Sequence, residues 1–123
     1  MGEGSRKGGM VAKKTYIPGR GDIVWLTFDP SLGHEQKGRR PALIVSPRSY
    51  NAASSLALAC PITSRIKGYP FEVEVTIRKK PSAVLVDQIR SIDWKEREAE
   101  KLLAVPARVV SEVQEYLKKL VSE

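Results

Sequence analysis

The amino-acid sequence predicts an α+β fold that is mainly β, a small, strongly curved antiparallel β-barrel with one C-terminal α-helix packed on it. Three observations carry this expectation. From Gly21 onward, short apolar runs alternate with Pro and Gly punctuation, the pattern of short antiparallel strands joined by turns. The segment Phe71 to Ile77 alternates with period two, placing Phe71, Val73, Val75 and Ile77 on one face and Glu72, Glu74 and Thr76 on the other. Only the end of the chain shows sustained apolar spacings of three and four, the signature of a helix with one buried stripe.

The elements follow in order. Residues 1 to 14 are mostly Gly, Lys, Arg and Ser with almost nothing to bury, so they are expected to be a disordered arm, native or left over from expression. Residues 15 to 123 are expected to form one domain. Asp22 to Phe28 is the first strand-like run, ended by Asp29 and Pro30. Ala42 to Ser46 is the second, bounded by Pro41 and Pro47. Leu56 to Ile62 is almost continuously apolar and so predicts a strand buried on both faces, with Pro61 limiting its ladder bonds. After Phe71 to Ile77, the stretch Ala83 to Ile92 reads as one further strand and Leu102 to Val105 as a short last one. Ser49 to Ser54 and Asp93 to Ala99 are candidate short helices or helical turns. Pro106 suits a first-turn position, and Val109, Val113, Tyr116, Leu117, Leu120 and Val121 form the stripe of the terminal helix. The sum is a barrel of SH3-like size.

Composition excludes several functions. The chain has 123 residues, enough to build a core without disulfides but too few for a second full domain. Its one Cys, Cys60, cannot form an internal disulfide or a Cys-based zinc site, and its one His, His34, rules out a paired-His site within one chain. These counts suit a reduced, cytoplasmic protein. No apolar stretch approaches the roughly 20 residues that span a bilayer, and the N-terminus lacks the apolar region of a signal peptide, so no membrane association is expected. With 21 Lys and Arg against 14 Asp and Glu, the net charge is +7, which points to an anionic partner. The cationic excess lies in the first 20 residues, in His34 to Arg48 and in Ser64 to Lys80, whereas the segment from Asp93 onward is close to neutral.

Three polar clusters interrupt the apolar runs. The loop Pro30 to Arg40, PSLGHEQKGRR, pivots on Gly33 and Gly38 and holds Glu35, Gln36, Lys37, Arg39 and Arg40. It could be a solvated charged loop, but Arg40 precedes Pro41 at a strand entrance and so starts from ordered backbone. The second cluster, Thr63, Ser64, Arg65, Lys67 and Gly68, follows the most apolar strand, where Thr63 could equally close a turn. The third, Asp87 and Gln88, sits within AVLVDQIRSI, where pairing with backbone would be explanation enough. Neither a P-loop nor a GxGxxG follows a strand, and no carboxylate and His cluster has metal-ligand spacing, so neither a metal nor another cofactor is implied. Cys60 lies in the most apolar run and is expected to be a buried, inert thiol.

The segments GDIVWLTFDPSLGHEQKGRRPALIVSP, CPITSRIKGYPFEVEV and VDQIRSID together resemble the MazF family of toxin endoribonucleases, also called the PemK or Kid type. The resemblance runs from about Tyr16 to the terminal helix. It implies an SH3-like barrel that forms a homodimer, and a type II toxin that cleaves single-stranded RNA without a metal. In that reaction the ribose 2′-OH attacks the adjacent phosphorus, leaving a 2′,3′-cyclic phosphate and a 5′-OH. The family's Arg of the R-P motif corresponds to Arg40, its Thr after the buried strand to Thr63 and the acid of its E-Q pair to Glu35. Arg40 and Thr63 would stabilise the charged phosphoryl oxygens, while Glu35 would act as general base or orient the 2′-OH. Gln36, Asp87 and Gln88 would read bases, and Lys37, Arg65 and Lys67 would contact phosphates. His34 departs from the small polar residue more often found before the E-Q pair. The resemblance also implies a MazE-like antitoxin whose acidic, largely disordered tail covers the RNA groove.

Two alternatives remain on the same barrel. One is a gyrase poison resembling CcdB, which acts through a terminal Trp, whereas this chain ends in KKLVSE and its last Trp is Trp94. The other is an SH3-like module that only binds nucleic acid, against which the joint presence of Glu35, Arg40 and Thr63 argues.

Overall fold

The computed structural model describes residues 16–27 and 38–122. The expected arm, residues 1 to 14, and most of the first interstrand loop lie outside the described residues. Strand β1 (Asp22–Thr27) pairs antiparallel with β2 (Arg39–Ile44), Ile23 facing Leu43 and Leu26 facing Arg40. A short helix, α1 (Arg48–Ser54), ends on Ser55 in the left-handed conformation (φ 63°) and leads into β3 (Leu56–Thr63). Then come β4 (Glu72–Ile77), β5 (Lys80–Leu85), a 3-10 turn (Val86–Gln88), β6 (Arg90–Asp93), β7 (Glu100–Ala104) and the terminal helix α2 (Ala107–Val121).

The strands order as β4-β5-β3-β2-β1-β7, with β6 added beside β3. Strand β3 makes the sheet curl. It pairs with β2 through Ala59–Pro61, with β6 through Leu56–Ala59 and with β5 through Ile62 and Thr63. A strand that changes partner along its length bends from one sheet into the next, giving a curled, mainly β half-barrel in place of a closed barrel, with the predicted antiparallel strands and strong curvature.

The central strands send side chains into a core on each of their faces, which explains their nearly unbroken apolar runs. On one face Ile23, Leu43, Cys60, Ile62 and Val84 pack beneath Val109 and Val113 of α2. On the other, Val24, Leu26, Ala42, Ile44, Ala57 and Ala59 pack against Ile92 and Trp94. The period-two assignment of β4 holds, with Val73 and Val75 buried and Glu74 and Thr76 exposed. The helical stripe also holds over Val109, Val113, Tyr116 and Leu117, and Phe71 meets Tyr116 edge-on at 5.4 Å. It runs out at Leu120 and Val121, which are 40% and 84% exposed. Among the described residues no helix is long and apolar enough to cross a membrane.

Buried polar groups are paired. Asn51 accepts from Ser46 Oγ (2.6 Å) and donates to the carbonyls of Pro18 (2.7 Å) and Ser46 (3.1 Å), while its own carbonyl accepts from Trp94 Nε1 (3.0 Å). The buried Asp22 carboxylate accepts from Tyr16 Oη (2.9 Å) and Gly19 N (3.0 Å), with Arg48 and Lys101 beside it at 3.4 and 3.6 Å. These bonds tie the segment before β1 and the helix α1 to the sheet, offsetting the cost of burying a charge.

Three sequence expectations need correction. Ala83 to Ile92 is not one strand. An extended chain would turn Asp87 and Gln88 to opposite faces and drive one of them into the core, at the cost of an unpaired buried polar group. The 3-10 turn avoids this: Val86 is buried and its N–H donates to Phe71 O (3.1 Å), while Asp87 and Gln88 both face outward. Nor is Leu56 to Ile62 buried on both faces throughout, because Leu56 and Leu58 point away from the core and are 37% and 38% exposed. Finally, Pro106 is the N-cap of α2 rather than part of its first turn. Of the two candidate short helices, the first is α1 and the second is a series of turns, in which Asp93 Oδ1 accepts from the N–H groups of Lys95 (3.1 Å) and Glu96 (2.9 Å).

The β4–β5 hairpin has a two-residue loop, Arg78-Lys79, closed by the Ile77–Lys80 pair. Both loop residues have positive φ (50° and 68°), as the type I′ turn requires. Asn-Gly adopts this geometry readily, whereas Arg and Lys are held there at a cost of about 1 kcal/mol each.

Candidate active-site cleft

The site forms where the sheet changes partners. Pro41 lies within β2 opposite Trp25, and Pro61 lies near the end of β3 opposite Ala42. Lacking N–H groups, these prolines loosen the sheet at the seam between β2, β3 and β5. An open cleft of about 850 Å³ lies over that seam, lined by both prolines and by Trp25, Arg39, Arg40, Thr63, Ser64, Arg65, Ile77, Lys80, Ser82, Gln88 and Arg90, among others. All the charged side chains among these lining residues are cationic.

Adjacent arginines in β2 have different fates. The Arg39 side chain is only 14% exposed and reaches across β1. Its Nη1 donates to Thr27 Oγ1 (2.9 Å), Glu98 O (3.1 Å) and Arg97 O (3.4 Å), and its Nη2 to Glu100 Oε1 (3.3 Å). These bonds commit its guanidinium to joining β1 and β2 to the turns before β7. Arg40 is exposed and has no hydrogen-bond or ion-pair partner among the described residues. Continuing the Ala42–Pro61 register by two residues brings Arg40 level with Thr63 across the strand pair. The Thr63 hydroxyl accepts from Arg65 N (3.0 Å), so the turn bond weighed in the sequence is present, and its O–H remains able to donate. An always-charged guanidinium and a held hydroxyl therefore converge in a cationic cleft, an arrangement suited to a phosphoryl oxygen.

The structure unites some of the sequence candidates and separates others. Arg40, Thr63, Arg65 and Gln88 share the cleft. Lys67 lies outside its lining, with Nζ 5.7 Å from the Tyr69 ring centre, and Glu72 Oε1 holds the N–H groups of Lys67 and Gly68 at 3.2 and 2.9 Å. Asp87 faces solvent outside the lining. His34, Glu35, Gln36 and Lys37 fall outside the described residues. Sequence reasoning missed Trp25, Lys80, Ser82 and Arg90. For Trp25 the available signal was a large aromatic side chain in a strand beside the R-P strand.

Cys60 is fully buried as expected. Burial, reinforced by the nearby Asp87 charge, pushes its thiol pKa up to about 12, so it stays protonated and unreactive at neutral pH. Tyr16 shifts in the same direction. Burial comes first among the causes, followed by its hydrogen bond to Asp22 and that residue's negative charge, which together outweigh the opposing effect of Arg48.

Fold and site together define a class: a curled β half-barrel, backed by a C-terminal helix, that presents an arginine and a hydroxyl to an anion in an open cleft. Comparison with known proteins narrows this. The family of PemK-like, MazF-like toxins of type II toxin-antitoxin systems matches residues 19–121, and the chain belongs to that family. It is 44% identical over 86 residues to the endoribonuclease toxin MazF of Escherichia coli K12, covering 70% of this chain and 78% of that protein. It is 35% identical over 109 residues to the endoribonuclease PemK of Escherichia coli, covering 85% and 81%. Among solved structures it resembles MazF from Deinococcus radiodurans (TM-score 0.75, 50% identity, 86% of this chain and 97% of that one). It also resembles the MazE-MazF complex from the same organism (TM-score 0.76, 45% identity, 87% and 97%).

Proposed function

We propose that this chain is the toxin of a type II toxin-antitoxin pair and a sequence-specific endoribonuclease of single-stranded RNA that works without a metal. The observation that carries the reading is Arg40, exposed, without a partner among the described residues and sharing a cationic cleft with Thr63. The endoribonuclease names of its relatives support the activity, and the MazE-MazF complex supports an antitoxin partner.

In the proposed reaction the 2′-OH loses its proton to Glu35, its oxygen bonds to the adjacent phosphorus, and the bond from phosphorus to the 5′-oxygen breaks as that oxygen takes up a proton from water. The products are a 2′,3′-cyclic phosphate and a 5′-OH. Arg40 and the Thr63 hydroxyl hold the phosphoryl oxygens as charge builds on them, so their effect falls on the transition state. Arg65 contacts a neighbouring phosphate, Gln88 reads a base edge and Trp25 offers a stacking face. Gln36, Lys37, Lys67 and Asp87 act on the flanking strand. The chain acts in the cytoplasm as a homodimer that covers the exposed Leu56 and Leu58, and the antitoxin's acidic tail competes for the cationic cleft.

The test is incubation with mixed-sequence single-stranded RNA in EDTA, followed by mapping of cut sites and end chemistry. Cleavage that persists and leaves cyclic phosphate ends is expected. Intact RNA, or Arg40→Ala and Thr63→Ala variants that cut as fast as the parent, would sink the reading.

A further inference from the structure

We propose that the tip of the β4–β5 hairpin, Arg78-Lys79-Lys80, is a second phosphate-binding element that grips the RNA strand beside the reaction site. This inference rests on the RNA-cleaving reading above. Two residues that a type I′ turn disfavours occupy its two central positions, with φ of 50° and 68°. Both are cations, and a third follows at once. Backbone strain kept at an exposed tip points to a role for the side chains that occupy it.

All three side chains are exposed, and none has a hydrogen-bond or ion-pair partner among the described residues. The residues nearest in the ladder, Ile77 opposite Lys80 and Thr76 opposite Pro81, offer no acid to neutralise them. The tip is also continuous with the cleft. Ile77 and Lys80 line it together with Arg40 and Thr63. Ala83 sits opposite Thr63, and Lys80 is three residues away along β5, a distance of roughly 10 Å at strand rise. A strand whose reacting phosphate lies at Arg40 and Thr63 can therefore run on past Lys80 to the tip.

The two-residue loop is fixed by six register pairs, so the backbone that carries these charges is held in place before the ligand arrives. The tip presents charge without an apolar seat, which suits a phosphate backbone better than an acidic peptide that also needs side-chain pockets.

The test uses a labelled, mixed-sequence, single-stranded 2′-O-methyl RNA, which lacks the attacking hydroxyl and so reports binding alone. Affinity is measured against salt for the parent, for the double variant R78N/K79G, whose residues suit the turn, and for K79E. Each lost contact to single-stranded RNA should make the slope of log affinity against log salt shallower by about 0.7, so the double variant should lose about 1.4. Affinity at low salt should fall several-fold or more for both variants, while the melting temperature of R78N/K79G rises as strain is relieved. A purely structural tip would move the melting temperature and leave the slope alone.

If the parent binds and cleaves RNA but the variants keep its affinity and slope, the inference is overturned and the functional reading stands. The same holds if the substitutions weaken only the complex with an acidic antitoxin. If the parent neither binds the probe nor cleaves unmodified RNA, both fall.

Discussion

Two neighbouring arginines should fail in opposite ways. Replacing Arg39 with Ala removes the donors to Thr27 Oγ1 at 2.9 Å and to the carbonyls of Glu98 and Arg97 at 3.1 and 3.4 Å. Thr27 is a buried residue, so its hydroxyl is left without this partner and sheltered from water. The contact with Glu100 adds little, because that carboxylate is 74% exposed and well screened. Hydrogen bonds to a charged donor contribute about 1.5–3 kcal/mol each and are not additive, so a loss of about 2–3 kcal/mol is expected for Arg39→Ala. For a domain of this size that corresponds to a fall in melting temperature of about 10 °C or more. Arg40→Ala removes a side chain that nothing among the described residues holds, so stability should stay within about 0.5 kcal/mol of the parent. Its effect should fall on cleavage, by about 100- to 1,000-fold if it stabilises the phosphoryl oxygens as a preorganised donor does. Urea melts and cleavage rates on one RNA, measured well below each variant's melting temperature, separate the two. A stable Arg39→Ala protein that has lost cleavage, beside an unstable Arg40→Ala protein that cuts normally, would refute the assignment of both.

Thr63→Val keeps the shape of the side chain but deletes the hydroxyl that accepts from Arg65 N, so single-turnover cleavage should slow at least tenfold while stability falls by no more than about 1 kcal/mol. Tyr16→Phe should cost about 1 kcal/mol at neutral pH, read by chemical denaturation, because it deletes a 2.9 Å bond to the buried Asp22 carboxylate. Alkaline stability should reveal Cys60: above about pH 8.5 the unfolded thiol ionises while the native one, with a pKa near 12, keeps its proton, so the unfolded state binds fewer protons and stability declines up to about pH 12. In Cys60→Ala the slope of stability against pH in that window should be shallower by up to about 1.4 kcal/mol per pH unit, and an unchanged slope would count against a buried thiol.

Much of the fold could be read along the chain because its rules are local. The alternation from Phe71 to Ile77 identified a half-buried strand, and the spacing from Val109 to Leu117 a helix with one buried stripe. The break at Val86 could not be read this way, since V-D-Q-I suits a strand as well as a turn. What decides it is the core position of Val86 and the donation of its N–H to Phe71, a residue distant in sequence. Leu56 and Leu58 were misjudged for a related reason. An apolar run does not reveal whether one of its faces lacks a covering layer, and here that face is left open.

By itself the sequence determined the mainly β architecture, the terminal helix and the burial of Cys60, and through its family resemblance it singled out Arg40 and Thr63, on which the chemistry is proposed to rest. Tertiary structure alone decided that both arginines border the cleft but the Arg39 guanidinium is bound by Thr27 and the turns before β7 while that of Arg40 is left for a ligand, that Trp25, Lys80 and Arg90 join them there, and that Lys67 and Asp87 do not line it. The physical reason is that periodicity reports which face of its own element a residue occupies. Whether its charge is already spent depends on partners that only the folded sheet brings within hydrogen-bonding distance.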